Sequence, residues 1–245
     1  MGTYTYLEDV PASDLLRWAI ETYEDRFAIA TGFQKEGMVL LDLAWRTGLP
    51  FRAFTVDTGR LPEETHTILE QVRRRYGLTV EVVAPDPAEL SAMVERHGPN
   101  LFHSSPELRQ MCCNVRKVRP FERKLEELEA WATGLRRAQG HTRAGVPKVA
   151  EEAGRLKLAP VADWSAQHVE AYIREHGVPV HPLYAKGYTS IGCAPCTRAI
   201  RDGEGERDGR WWWERDGAPK ECGIHFAPVR SASFASSQSP CSIGD

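Results

Sequence analysis

Between Phe27 and His97 short apolar runs alternate with helical stretches, and this order constrains the fold more than any other feature of the chain. Phe27-Ala28-Ile29-Ala30 is of strand type and is followed by a polar turn, Thr31 to Gly37. A helical stretch then runs from Met38 to Thr47 and stops at Gly48. Phe51 to Val56 forms a second strand ending in Asp57-Thr58-Gly59, and Pro62 opens a helix that reaches Tyr76 and closes at Gly77. Leu78 to Val83 is the third strand, with a helix from about Pro87 to His97 behind it. An amphipathic helix, Pro11 to Tyr23 with Ser13 as its cap, precedes the series. The order predicts an α/β fold: a mostly parallel sheet, helices on both faces and right-handed crossovers. Ligands of such sheets bind beyond the carboxyl ends of the strands, where Thr31-Gly32 and Asp57-Thr58-Gly59 fall. A Thr-Gly turn before a helix can hold a phosphate through its amides and hydroxyl, although as a lone signal it is more often a capping turn.

The second half of the chain carries a different signal. Arg109 to Arg119 places Cys112 and Cys113 among basic residues, and Cys193-Ala194-Pro195-Cys196 supplies two more thiols. Four cysteines in two short clusters are the usual ligand count of a zinc ion or an iron-sulfur cluster. Consecutive helical side chains point about 100° apart. Cys112 and Cys113 therefore converge poorly on one tetrahedral ion, whereas a 4Fe-4S cubane offers each thiolate its own iron corner. A disulfide framework is disfavoured in a chain without a secretory signal. The cysteine pair opens a helix to Glu129, interrupted near Pro120. Ala130-Trp131-Ala132 is a short strand ending in Thr133-Gly134, and the loop that follows holds Arg136, Arg137, His141 and Arg143, as a solvated face or as an anion clamp. A helix from Ser165 to His176 stops at Gly177, and Pro179, His181 and Pro182 force an irregular path onward. Cys222 follows Arg207, Arg210, three tryptophans and a Gly-rich stretch; positive neighbours lower a thiol's pKa, and His225 is near enough in sequence to assist it.

Composition excludes several classes. A net charge of −3 over 245 residues indicates no general attraction to nucleic acid or anionic membrane, so any anion site must come from local clustering. The N-terminus lacks the basic and apolar regions of a signal peptide and no run approaches a membrane span, so the protein is expected to be cytoplasmic. His66, His97, His103, His168 and His176 are expected to cap, pack or face water. From Ala227 onward the Ser-rich tail has little to bury and is expected to be disordered, with Cys241 incidental.

Four motifs together resemble one family: Cys112-Cys113-x-x-Arg116-Lys117-Val118-x-Pro120, Ile191-Gly192-Cys193-x-Pro195-Cys196-Thr197-Arg198, Arg207-x-Gly209-Arg210-Trp211-Trp212-Trp213-Glu214 and Lys220-Glu221-Cys222-Gly223-Ile224-His225. Val56 to Leu61 adds a fifth. The chain is similar, over roughly Arg17 to Phe226, to the assimilatory, thioredoxin-dependent adenylyl-sulfate reductases of the phosphoadenylyl-sulfate/adenylyl-sulfate reductase family.

The resemblance implies an adenine nucleotide alpha-hydrolase-like fold with a modified pyrophosphate (PP) loop at Thr31 to Gly37. It implies one reductase domain, 1–226, with a mobile catalytic segment from about 202 and the tail 227–245 outside it. Cys112, Cys113, Cys193 and Cys196 would hold a 4Fe-4S cluster. Thr31, Gly32, Phe33, Asp57, Thr58, Gly59 and Gly134 would bind the nucleotide side. Lys117 and Arg143 would meet the phosphosulfate, and Arg207 and Arg210 would close over it. Cys222, with His225 beside it, would attack the sulfate sulfur of adenylyl sulfate, release AMP and carry an S-sulfo group. Thioredoxin or a glutaredoxin-like reductant would then free sulfite, a step of sulfate assimilation toward cysteine biosynthesis. A homo-oligomer is compatible with this reading. The chain departs from the family pattern at Thr31-Gly32-Phe33-Gln34, where a Ser-rich loop is expected, and at Gln139 to Arg143, one residue short. Competing readings are reduction of phosphoadenylyl sulfate, use of both substrates, and a non-enzymatic metal-binding module. An ATP-using nucleotide hydrolase is disfavoured because its Ser-Gly-Gly-x-Asp-Ser loop is absent.

Overall fold

A computed structural model describes residues 4–214 and Ile224. Cys222, His225, the tail and much of the segment expected to be mobile lie outside the described residues. The elements are α1 (Ala12–Tyr23), β1 (Phe27–Ala30), α2 (Lys35–Arg46), β2 (Arg52–Val56), α3 (Glu63–Tyr76), β3 (Glu81–Val83), α4 (Pro87–His97), α5 (Pro106–Cys113), a π turn (Asn114–Val118), α6 (Arg119–Leu125), β4 (Ala130–Ala132), β5 (Val149–Glu152), β6 (Arg155–Leu158) and α7 (Ala166–His176). The strands form one six-stranded sheet in the order β3-β2-β1-β4-β6-β5. Every pairing is parallel except β5 with β6. The mostly parallel α/β sheet expected from the alternation is therefore present.

Side chains of a strand alternate between its two faces, and the short strands use that alternation fully. Phe27, Ile29, Ala53, Ala130 and Ala132 enter a large core with α1, α2, α3 and α7 residues such as Leu16, Leu40, Ile68 and Ile173. Ala28, Phe54 and Trp131 enter a second core with Phe121 of α6 and Leu128. Burial on both faces explains why β1 and β4 read as unbroken apolar runs. A third, small core gathers Met93, Leu101, Phe102, Cys112, Val115, Cys196 and Trp211 outside the sheet.

Local chemistry sets the helix ends. Asp86 accepts from the amides of Ala88 and Glu89 at 2.9 and 3.0 Å, and Ser165 accepts from His168 at 3.0 Å. Gly77 and Gly177 close α3 and α7 in the left-handed conformation. Several expectations are corrected. Pro11, not Ser13, occupies the N-cap of α1, and the Ser13 hydroxyl donates to Asp14 instead. Helix α2 begins at Lys35, within the stretch expected to be turn. The third strand is only Glu81–Val83.

The helix expected from the cysteine pair to Glu129 starts earlier, at Pro106, and ends at Leu125. Its interruption is the π turn, in which the Arg119 amide reaches back to the Asn114 carbonyl. Pro120, which has no amide hydrogen to give, follows directly. The β5–β6 hairpin was not expected at all. Its two-residue turn, Ala153-Gly154, has φ of 51° and 74°, the backbone of a type I′ turn.

Candidate active site

Sheet order places the functional edge. From β1 the chain moves outward to β2 and β3, and β4 returns to the other side of β1, so the crevice beyond β1 and β4 is a topological switch point. A cavity of about 800 Å³ opens there. The carboxyl-end residues Thr31, Thr58, Thr133 and Gly134 all line it.

The turn after β1 is compact. The Thr31 amide bonds to the Phe54 carbonyl at 2.9 Å, and its hydroxyl accepts from the Phe33 amide at 3.0 Å. Phe33 adopts φ of 56° and is fully buried in the main core. Gln34 occupies the N-cap of α2 without capping it, because its side-chain Oε1 accepts from the Ile191 amide at 2.9 Å. Across the cavity Gly134 presses on α2: an added Cβ would lie 2.9 Å from both the Glu36 carbonyl carbon and the Gly37 nitrogen. Only glycine permits that backbone approach.

Both signs of charge line this cavity. Lys117, Arg143 and Arg207, the residues expected to meet and cover the phosphosulfate, reach it. Arg136, read from the sequence as part of a solvated face or an anion clamp, is instead paired in the wall with Glu36, which was not anticipated; the buried ion pair spans 2.6 Å from Nε to Oε1. The side chains come from positions one hundred residues apart, and no local pattern in the sequence joins them. Gln139 fixes this loop, accepting from the Arg136 amide at 3.1 Å and from Arg143 Nη1 at 2.5 Å. Glu206 stands at the rim, where the loss of part of its solvation pushes its carboxyl pKa upward and Glu36 adds to the shift. Tyr184 is held protonated by burial, and its oxygen accepts from the Lys35 amide at 3.3 Å.

Some expected residues lie elsewhere. Phe33, Asp57, Gly59 and Arg210 do not line the cavity. Asp57 accepts from the Gly59 amide at 2.8 Å and so shapes the turn behind the wall. Arg210 donates to the Ile191 carbonyl at 3.1 Å and packs against Gly192, where an added Cβ would meet its guanidinium at 2.3 Å. Of the four clustered cysteines, only Cys193 lines the cavity. Ile224, two positions beyond Cys222 in sequence, also lines it.

The thiols occupy the small third core. Cys112 and Cys196 are buried. Burial pushes the Cys196 thiol up to about 12, with Cys193, Cys113 and Cys112 adding and Arg210 opposing. Burial also raises Cys112, against the pull of Arg116. Cys193 packs against the same small core as Cys112 and Cys196. Thr58 Oγ1 lies 3.1 Å from Cys193 Sγ, and its carbonyl accepts from Arg116 Nη1 at 2.8 Å, which ties the end of β2 to this core.

Among the described residues no three or more His, Cys, Asp or Glu side chains close around the position of a single metal ion. The donors nevertheless suit a larger sulfur-rich group. Arg116 Nε, Arg210 Nε and Trp211 Nε1 are buried with no hydrogen-bond partner, and thiolates or sulfides beside them would accept. Buried donors without acceptors are costly enough to require an explanation.

Comparison with known proteins agrees with this architecture. Residues 26–199 match the model of the phosphoadenosine phosphosulfate reductase domain. The adenosine 5′-phosphosulfate reductase of Allochromatium vinosum is 49% identical over 83% of this chain and 81% of its own length. That of Burkholderia cepacia is 43% identical over 88% and 87%. Among solved structures, the phosphoadenylyl-sulfate reductase of Candida auris, in its phosphate complex, superposes with a TM-score of 0.68 at 26% identity, covering 82% of this chain and 98% of that one. FMN adenylyltransferase of Candida glabrata, with a TM-score of 0.54 at 16% identity over 79% of this chain and 65% of that one, shares the fold alone. The fold is thus of the adenine nucleotide alpha-hydrolase type with a PP-like loop, and the chain belongs to the phosphoadenosine phosphosulfate reductase family.

Proposed function

We propose that the chain is an adenylyl-sulfate reductase that makes sulfite for assimilation with electrons from a thioredoxin-type dithiol. The observation that carries this reading is one cavity shared by two sets of groups. Lys117, Arg143 and Arg207 line it beside the Thr31 turn, and Cys193 of the four-thiol set opens onto it. The names of relatives 49% and 43% identical support the same substrate. The working unit is proposed to be a single domain, residues 1–226.

Cys222 would attack as thiolate. A bond forms between its sulfur and the sulfate sulfur, the bond from that sulfur to the bridging phosphate oxygen breaks, and AMP departs with the electron pair. An anion thereby approaches an anionic mixed anhydride, so cationic groups must offset repulsion and stabilise charge on the leaving phosphate. Lys117, Arg143 and Arg207 are proposed for that work, with His225 assisting the thiol. Gly134 and the Thr31 turn would seat the nucleotide. One thiol of the reductant then attacks Cys222, sulfite leaves with the electron pair of the S–S bond, and the second thiol resolves the mixed disulfide. The dithiol is oxidised by two electrons and the sulfur is reduced by two.

Cys112, Cys113, Cys193 and Cys196 are proposed to hold a 4Fe-4S cluster. A cubane takes each thiolate at a separate corner, which fits thiols that neighbour one another without closing around one point. When bound, the cluster would supply local electrostatics and positioning, since the dithiol already provides both electrons.

Anaerobically purified protein should contain near four irons and four sulfides per chain and release sulfite from adenylyl sulfate with reduced thioredoxin. Cys222→Ser should keep the metal and lose at least about 10³-fold of the turnover. Undiminished sulfite production by the variant, or turnover of the 3′-phosphorylated substrate alone, would overturn the reading.

A further inference from the structure

Glu214, eight residues before Cys222 in sequence, has a buried side chain paired through Oε1 with Arg109 Nε; both side chains are at most 3% exposed. Arg109 lies on α5, three residues before Cys112, and its guanidinium also lies over the Trp211 ring at 4.6 Å. The Trp211 amide donates to the Cys196 carbonyl at 3.1 Å, and the Arg198 amide donates to Gly209 at 3.0 Å. The stretch 209–214 is therefore tied to both cysteine-bearing elements. Its geometry is costly. Trp211 has φ of 44° and is 1% exposed, a backbone region that bulky residues rarely adopt unless their surroundings enforce it.

A buried charge left without its partner is strongly unfavourable, so an ion pair of this kind does not slide or open at little expense. It fixes the chain at residue 214. From there to Cys222 is eight residues, a reach of at most about 28 Å fully extended.

We propose that Arg109 and Glu214 are positioning residues, a fixed anchor that determines the point from which Cys222 is delivered to the substrate. The proposal rests on the reading of Cys222 as the nucleophile. It deepens that reading by assigning a role to two charged side chains that touch neither cavity nor substrate.

Two variants test it in the full chain with its metal loaded. Glu214→Gln keeps the volume and removes the charge. Insertion of Gly-Ser-Gly between Glu214 and Arg215 leaves the ion pair intact and adds three residues between it and Cys222. Single-turnover formation of S-sulfo-Cys222, read by mass spectrometry after rapid quenching, should slow by about tenfold or more in each. Affinity for AMP should stay within about twofold, because the cavity wall is untouched. A merely structural role would lower nucleotide affinity and metal content together with the rate, and that result overturns the proposal. Wild-type rates in the insertion variant overturn it as well, and this arm decides the matter if Glu214→Gln does not fold. If the wild-type protein forms no S-sulfo adduct, it is the reading of Cys222 that fails.

Discussion

Phe33 and Trp211 adopt the same unfavourable backbone in two different settings. Each is a large aromatic residue with positive φ, 56° and 44°, and each is at most 1% exposed. The left-handed conformation costs a side chain of this kind roughly 1–2 kcal/mol. Phe33 is held by mass: it sits in the large core beneath the sheet, and a local bond from its amide to Thr31 finishes the turn. Trp211 is held by charge, with the guanidiniums of Arg109 and Arg210 at 4.6 and 4.7 Å and the Arg109–Glu214 pair beside it. Its small core contains two buried thiols and is bordered by donors that lack acceptors. The Thr31 side of the cavity thus rests on a core complete in itself. The thiol side rests on polar contacts that a sulfur-rich group would complete.

The largest effect should come from Phe33→Ala. Removing a fully buried phenyl ring from a close-packed core costs about 3–5 kcal/mol, and alanine keeps the unfavourable φ. Urea unfolding should show the midpoint falling with the slope unchanged, as for a loss of global stability. A loss below about 1 kcal/mol would mean that the turn, not the core, holds this residue, and the contrast with Trp211 would collapse.

Trp211→Ala should act locally. The ring joins only the small core, so the amides of α5 and of residues 194–197 should exchange faster while those of β1 and β2 keep their protection. The global midpoint should move by less than about half the Phe33→Ala shift. Equal shifts would show that the two cores unfold as one unit.

The same division decides what could be read from the sequence. The sheet was legible because β1 and β4 are apolar runs ending in Thr-Gly, because β2 ends in Asp-Thr-Gly, and because both faces are covered. The β5–β6 hairpin was not: Val149-Ala150-Glu151-Glu152 does not alternate, and Ala153-Gly154 lacks the Asn or Asp that usually marks its turn. The motif residues 207 and 210 were placed together, yet only Arg207 reaches the cavity, since a linear motif does not say which way an arginine turns. Glu36–Arg136 and Arg109–Glu214 join positions one hundred and 105 residues apart, and periodicity carries no trace of such pairs. The thiols were legible as a set by spacing alone, whereas the bond that joins Arg116 to the Thr58 carbonyl emerged only in three dimensions.

The smallest effect concerns the rim where the two regions meet. Glu206 lines the cavity with Glu36 and Arg207, and its carboxyl pKa is raised above the usual 4.5, chiefly by lost solvation. Below the raised value the group is neutral; above it the group adds a negative charge to a site proposed to receive an anion. Affinity for AMP should therefore fall as pH rises through that value, and Glu206→Gln should bind more tightly than wild type only on the high-pH side. The side chain is open to water, so screening should keep the difference within about threefold. Taking the ratio of the two proteins' AMP dissociation constants at each pH cancels titration of the AMP phosphate itself. A ratio that stays at one across the pH range would show that Glu206 places no effective charge on the bound anion, and that the cationic wall works without a carboxylate opposing it.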